Sequence, residues 1–423
     1  MPFSQRLREI HDGFEPAFWV ANFTEIFERV AYYSTSAVLA IYLSEQLHFS
    51  SQLTGTLLGI AGFVVYALSI LAGALADRFG FRRTLMAAFL ILTAGYFLLG
   101  SLETVWMEPL RHAVGDRWLV SLVLLVPALG PGMVKPCVAG TIARASNENV
   151  CSLGYSIYYT LVNVGGAIGP LLAWLIRKQL ALGIPNVFRA AALSVFLMVF
   201  VIFAFYKEPR RPGDAQVATL AESFANMFIV LANSRFVVFL LISSGFYVVF
   251  WQIWISVPIF MRRYVDASAD VDKILSIEAV TVICFQILAT YLTRKLPPVQ
   301  AIAIGFLITG LAFAALGLHP SMLGLVAMLV VLALGEITQA SRYYEYCSRL
   351  APPGQQGVYM GYAFLPIAIG YAIAGPLGGY LVHEFGEVLH EPQRMWWVIV
   401  AIGVATALAM WIYDKAIAEK AAA

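Results

Sequence analysis

Charge is what this chain has least of. Only 12% of its 423 residues are Asp, Glu, Lys or Arg, about half the share found in soluble domains. That deficit excludes an ordinary soluble globular protein. The formal net charge is +2 and no basic tract occurs, so nothing marks a phosphate-binding groove and no nucleic-acid partner is expected. Cysteine is scarce as well. Cys137, Cys151, Cys284 and Cys347 stand singly, without CxxC or metal-like spacing, and read as reduced packing residues. The first fifteen residues are polar and charged, so no cleavable signal peptide is expected and the first helix stays in the mature protein. No nucleophile–base constellation is visible. The two histidines of "HEFGEVLHEP", His383–Pro392, lack the HExxH spacing. Neither an enzyme, a metal site nor a cofactor is expected.

What the chain has in abundance is apolar length. It is 60% hydrophobic with a mean hydropathy of +0.78, and short polar breaks divide it into runs long enough to cross a bilayer. The runs fall at 17–44, 52–76, 82–102, 118–143, 152–176, 187–206, 236–261, 272–293, 298–318, 321–348, 357–383 and 394–414. The fold class expected is therefore an all-α membrane protein with twelve transmembrane spans, six on each side of the longest break. That break, 207–235, holds prolines, charges and a candidate amphipathic helix at Val217–Leu231, and reads as a linker at the membrane surface. The domain reading is thus a six-helix bundle at 1–206, a cytoplasmic linker at 207–235 and a second six-helix bundle at 236–423. Lys and Arg number 15 on the side that carries both termini and nine on the other. The richer side is expected to be cytoplasmic, in a bacterial inner membrane. Two pseudo-symmetric sixes suit a secondary transporter, although a receptor or a membrane enzyme shares such an outline.

The first span breaks the apolar rule. "NFTEIFERVAYYSTSAVLAIYL" carries Glu25, Glu28 and Arg29, with Tyr32 and Tyr33 behind them. On a helix these are i, i+3, i+4, i+7 and i+8, one stripe. Each charge at mid-membrane costs roughly 2.5–3.5 kcal/mol on insertion scales, so the stripe must face a polar cavity or paired partners. An internal salt bridge that pins helices together is the plainer alternative.

The loop after the second span, "GALADRFGFRRTL" (Gly73–Leu85), resembles the loop motif of the major facilitator superfamily. The resemblance makes Gly73, Asp77, Arg78, Gly80, Arg82 and Arg83 the conformational loop, with the aspartate at a helix terminus beside basic partners. The matching loop "LTRKLPP" is degenerate. Within that superfamily, "EIFERVAYYS" is similar to the ExxERFxYYG signature of the proton-dependent oligopeptide transporter family. "GPGMVKPCVAG" resembles its fourth-helix segment and puts Lys135 at the functional lysine. "YYTLVNVGG" resembles FYxxINxG, giving Tyr159 and Asn163. "LALGEITQASRYYEYCSRLAP" resembles the tenth helix, with Glu336 at the acidic position, and Tyr66 stands where members have a substrate-contacting tyrosine.

This likeness implies a proton-coupled symporter of small peptides or peptide-like zwitterionic or anionic solutes, working by alternating access, monomeric, with protons as the coupling ion. Glu25, Glu28, Arg29, Lys135 and Glu336 would couple protons to gating. Protonating a carboxylate would release Arg29 or Lys135 from its partner, and Lys135 opposite Glu336 would link the two bundles. Tyr32, Tyr33, Tyr66, Tyr159, Asn163, Glu278 and Trp251 would line the substrate site. An uncoupled facilitator, exchanger or exporter of a non-peptide solute, or a non-transporting sensor, is the alternative.

The pattern also fails in places. "FYVVFWQIW" has Trp251 or its neighbour where the family carries a seventh-helix Glu, and Ser36 stands where that acid's arginine partner should be. Losing both together is coherent, since losing one would strand a charge. Aromatic packing by Phe246, Tyr247, Phe250 and Trp251 is the expected substitute. Glu278 stands where the family has an Asn that contacts the peptide amino end. It either faces the cavity or pairs with Lys273 at a helix end. The eleventh span, "MGYAFLPIAIGY", lacks the family's tryptophan and Asn, and the linker holds no extra helix pair. Arg342 and Glu345, i and i+3, are expected to pair locally.

Overall fold

A bilayer interior leaves backbone amides no water to bond with, so a chain this apolar must satisfy them within each segment. The computed structural model describes residues 13–147, 150–209, 230, 232–293, 295–351 and 356–422, and these are overwhelmingly helical. No strand occurs among the described residues beyond an isolated Phe14–Ser146 bridge. Eleven helical stretches are long and apolar enough to span a membrane. The twelfth is the first span, Pro16–Ile41, whose 26 residues reach about 39 Å at 1.5 Å per residue. Only its charges set it apart.

The remaining spans run Ser51–Phe79, Phe81–Leu99, Asp116–Ala145, Cys151–Trp174, Ile184–Phe205, Ser234–Phe260 with a turn at Trp251, Val271–Thr293, Pro298–Leu318, Met322–Leu350, Gln356–Leu381 and Met395–Ala422. All boundaries lie within three residues of those expected, except that the last span continues eight residues past 414. The candidate amphipathic helix Val217–Leu231 lies outside the described residues, Val230 excepted. Large apolar side chains such as Phe200, Phe203, Ile287 and Leu292 are exposed, as lipid-facing positions require.

A repeat is visible in how spans end. Spans one, five, seven and eleven each finish in a wide π-helical turn, at Tyr42–Gln46, Leu175–Gln179, Met261–Val265 and Val382–Val388. After three of them the chain exits through a left-handed residue: His48 (φ 55°), Ala181 (φ 51°) and His390 (φ 55°). The same paired backbone bonds recur, Leu47 N to Tyr42 O with Phe49 N to Leu43 O, and Leu180 N to Leu175 O with Leu182 N to Ile176 O. Spans one and seven, and five and eleven, are each six apart. The two sixes therefore share their end geometry, as internally repeated transporter folds do.

By packing, the chain forms two compact units: residues 1–35 with 67–223, and residues 36–66 with 224–423. Spans one and two therefore each have one part in each unit. Within the first unit Gly95 lies against Pro127, where a Cβ would come within 2.5 Å of the proline nitrogen. Within the second, Gly310 of span nine and Gly403 of span twelve touch through their backbones. Small residues at such crossings are what membrane helices use in place of a hydrophobic drive. The cysteine reading needs one correction. Cys137 and Cys347 are buried, but Cys284 is exposed, because its place on span eight is among lipid-facing neighbours such as Val280, Ile283 and Ile287.

Candidate functional site

The helical stripe of the first span is buried where its charges sit. Glu25 and Glu28 are 0% exposed and Arg29 is 2% exposed. Arg29 Nε lies 3.3 Å from Glu25 Oε1, one turn away, and the guanidinium also donates to Glu28 Oε2. Its cation covers the Tyr32 ring at 5.0 Å. These pairs lie within one helix, so they do not pin two helices together. Neighbouring spans complete the surroundings. Lys135 of span four is in electrostatic reach of Glu25 and Glu28, Tyr158 of span five lies beside Glu25, and Tyr33 lies near Arg29. Tyr96 of span three, 3% exposed, lies beside Thr35 and the same acids.

Span five can come this close because it has no side chain where it crosses span one. A Cβ on Gly165 would sit 2.4 Å from Arg29 Cβ, and one on Gly169 would sit 2.8 Å from Tyr33 Cβ. Tyr158, Gly165 and Gly169 are i, i+7 and i+11, so one stripe of span five faces Arg29. Tyr159 and Asn163 form the adjacent stripe. Both are half-buried, and the Asn163 amide donates to the Tyr159 carbonyl of its own helix at 2.9 Å.

The second unit holds a different arrangement. Glu278 of span eight and Glu336 of span ten are buried side by side, each within interaction reach of the other's carboxyl group. Two carboxylates this close repel one another unless a proton or a cation lies between them. Glu278 therefore meets Glu336 rather than water at a helix end. Glu336 Oε2 is buried and has no hydrogen-bond partner among the described residues, and Tyr247 and Tyr344 lie within electrostatic reach of Glu336. The local Arg342–Glu345 pair is present at 2.7 Å, and Arg342 also donates to the Thr293 carbonyl.

Aromatic packing does stand at the seventh span, where Phe246, Tyr247, Phe250 and Trp251 are in ring contact along the helix, and it recruits further members. Trp251 stacks on Tyr371 of span eleven, centroids 4.0 Å apart, and Tyr66 of span two lies 5.8 Å from Tyr371 and 6.0 Å from Trp251. Phe246 instead stacks on Phe306 of span nine, inside its own bundle. Phe250 joins the two groups, edge-on to Trp251 at 5.1 Å and stacked on Phe246 at 5.8 Å.

At the loop motif, Gly80 takes φ +87°, a left-handed turn that only glycine adopts without strain. The chain thereby re-enters a helix at once, and the exposed amides of Phe81 and Arg82 point at the Glu208 carboxylate, 2.7 and 2.9 Å away. An acid on a helix N-terminus is favourable for charge and hydrogen bonding alike. The Arg82 guanidinium donates to the Phe203 carbonyl and Arg78 lies over Phe79. Both arginines therefore bind locally, as does Arg144 over Phe81. Arg83 lines the same hollow beside Glu208. Gly73 and Asp77 lie on the preceding helix, and their side-chain surroundings fall outside the described residues.

The sequence is matched by a family model, described as Major Facilitator Superfamily, over residues 21–365 and 253–422. The chain belongs to the Major Facilitator Superfamily. Among curated relatives, the protein called Multidrug resistance protein MdtH from Enterobacter sp. (strain 638) is 24% identical over 380 residues, 88% of each chain. Its counterpart from Escherichia coli O157:H7 is 24% identical over 385 residues, 89% of each. Among solved structures, a POT family transporter in complex with 5-aminolevulinic acid superposes with a TM-score of 0.78 at 17% identity, covering 95% of this chain and 96% of the other. A peptide transporter POT in complex with sulfate gives 0.76 at 19% identity, over 95% and 94%. At such identities the structural likeness concerns the fold.

Within this superfamily member, four residues escaped sequence reasoning. Tyr158 was detectable from its shared stripe with Gly165 and Gly169. Tyr371 and Tyr96 sit in otherwise apolar runs, and only tertiary contact distinguishes them. Glu208 stands in "KEPRRPG", where a surface linker acid gives no sign that it caps a helix 127 residues earlier in sequence.

Proposed function

We propose that this protein is a proton-coupled secondary transporter of small peptide-like, zwitterionic or anionic solutes. The observation that carries this reading is the buried set Glu25, Glu28 and Arg29 on one face of a membrane span, with Lys135 in reach. Two acids face two cations there. Adding a proton to either acid leaves a cation in surplus, free to take an anionic group of the solute or to let helices separate. Glu25, Glu28, Arg29 and Lys135 are the coupling groups in this reading, with Glu336 as their counterpart in the second half. Tyr32, Tyr33, Tyr66, Tyr159, Asn163, Glu278 and Trp251 supply hydroxyls, an amide, an acid and an aromatic face for the solute. The Asp77–Arg83 loop braces one of two alternating states. The halves 1–206 and 236–423 move about the 207–235 linker, both termini are cytoplasmic, and the protein acts as a monomer in a bacterial plasma membrane.

A second reading, proton-driven exchange of an organic cation, is favoured by the Glu278–Glu336 pair beside Tyr247 and Tyr344. Two acids with no cation beside them among the described residues suit a positively charged solute, and the curated relatives are named for multidrug resistance. Reconstituted liposomes separate the two. Labelled di- and tripeptides should accumulate when the outside is acidic, and Glu28→Gln and Lys135→Ala should abolish this. Extrusion of a lipophilic cationic dye against an opposing gradient, without peptide uptake, would move the assignment to exchange. Neither activity in any gradient would overturn proton coupling.

A further inference from the structure

We infer that protons reach Glu25 by a route of their own, along the seam between spans one and five, with Asn22 as its relay and a pair of stacked rings as its plug. Helical period draws the line. Phe18, Asn22, Glu25 and Arg29 share one stripe of span one. Both ends of that stripe face span five. The Phe18 ring lies 3.1 Å from where a Cβ on Gly154 would stand, and Arg29 Cβ lies 2.4 Å from the same position on Gly165. Asn22 and Glu25 fall between these crossings, on the side of Tyr158, which stands beside Glu25.

A row of buried acceptor oxygens without donors sets this seam apart. Asn22 is 2% exposed. Its amide nitrogen donates to the Phe18 carbonyl at 2.9 Å, but its Oδ1 has no hydrogen-bond partner among the described residues. The same holds for both oxygens of Glu25 and for Ser146 Oγ, which lies 3.1 Å from the same Gly154 position as the Phe18 ring. Packing alone would not keep such a row, because each orphaned polar atom costs about 1–3 kcal/mol. Water satisfies it, since one buried water makes about three hydrogen bonds to groups of this kind. Asn22 and Glu25 are about 4.5 Å apart along the helix axis, a gap that one or two waters bridge. A hydronium on the Asn22 side gives up a proton, each water passes one on, and the Glu25 carboxylate takes the last. Only O–H bonds form and break, and Asn22 holds the water without itself being protonated.

Towards the amino terminus the row meets rings. Phe14 and Phe18 stack with centroids 4.0 Å apart, 6% and 0% exposed. Backbone geometry brings Phe14 there. Pro16 opens span one and keeps Glu15 out of the helical region, so residues 13–15 pair with the chain leaving span four. Glu15 N donates to Ala145 O at 2.8 Å, and Asn147 N donates to Gly13 O at 2.9 Å. This strap lays Phe14 on Phe18. An apolar constriction in a polar row stops conduction by excluding water. A proton-coupled carrier needs that insulation, because protons that pass without solute dissipate the gradient.

The inference rests on the proton-coupled reading, and a solute-free measurement keeps the two apart. In liposomes loaded with a pH-sensitive dye and clamped with potassium and valinomycin, the wild-type protein should pass protons slowly. Phe18→Ala should raise that flux several-fold and Phe14→Ala somewhat less, whereas Phe18→Leu, which keeps the plug filled, should raise it little. Phe14→Ala, at the outer end of the plug, serves where Phe18→Ala fails to fold. Adding Asn22→Leu or Glu25→Gln to either leaky variant should return the flux to the wild-type level. A flux that neither alanine variant raises, or a leak that Asn22→Leu leaves standing, would overturn the route whatever peptide uptake shows. A leak that both second changes abolish would uphold it even if no peptide accumulated, and that result would remove the symport assignment alone.

Discussion

In the first unit Glu25 and Glu28 are buried around Arg29 with Lys135 in reach, whereas in the second Glu278 and Glu336 are buried against each other. The first cluster is mixed in sign, so its members hold one another when fully ionised, and a proton disturbs that balance. The second is of one sign, so it stays compact only with a proton or a cation between its members. Removing a cation from the first strands two carboxylates. Replacing an acid of the second by an amide removes a conflict. Charge compensation, rather than burial, therefore decides which site is fragile.

The largest break in this comparison is Arg29→Ala. It leaves both acids buried without their nearest cation, and such losses cost about 3–5 kcal/mol. Thermal unfolding in detergent should show it, with a smaller loss for Arg29→Lys. A midpoint within a degree of wild type would mean that water already compensates these acids. Gly165→Ala comes next. Its methyl would press on Arg29 Cβ at 2.4 Å, and overpacking of this kind costs about 1–3 kcal/mol. The same change at Gly115, whose surroundings are open to 4 Å but whose φ is +84°, separates crowding from backbone strain. The Gly165 variant should lose transport as well as stability, because it moves the cation.

How far the sequence foretold this depends on whether a signal is local. Span positions follow from apolar length, and the stripe at 25, 28, 29, 32 and 33 follows from helical period, so both were legible. So were Lys135 and the break at Trp251, through motif resemblance. The partners of Glu278 and Trp251 were not. A stretch of Leu, Ile and Gly such as span eleven does not say that Tyr371 will meet Trp251 from 120 residues away. Glu45 and Arg262, or Arg263 and Glu387, look like ordinary helix-end charges, and only the fold brings each pair together. The sequence division at 207–235 also differs from the packing units, because 36–66 packs on residues far along the chain.

A third acid calibrates the comparison, since Glu208 is exposed and, among the described residues, has no ion pair. It caps the amides of Phe81 and Arg82, so Glu208→Ala should cost about 1 kcal/mol, as helix caps do. That value should persist at pH 7 and weaken in high salt. A loss as large as that of Arg29→Ala would mean that this end of span three organises the whole first unit.

The smallest effect on stability is the most informative about mechanism. Glu278→Gln keeps the shape of the pair and lets an amide donate to the Glu336 carboxylate, so the midpoint should move by less than about 1 kcal/mol. What should change is proton dependence. With no proton to share, the pair can no longer lose one on binding a cationic group, and solute-driven proton movement through this unit should fall several-fold at unchanged fold stability. Glu278→Lys sharpens the point, because its ammonium would sit on Glu336 as a bound cation would. That variant should stay folded and compete out any positively charged solute while sparing the first unit. If Glu278→Gln instead unfolds the protein as Arg29→Ala does, or leaves the pH profile of transport untouched, the two clusters do not differ in the way their signs demand.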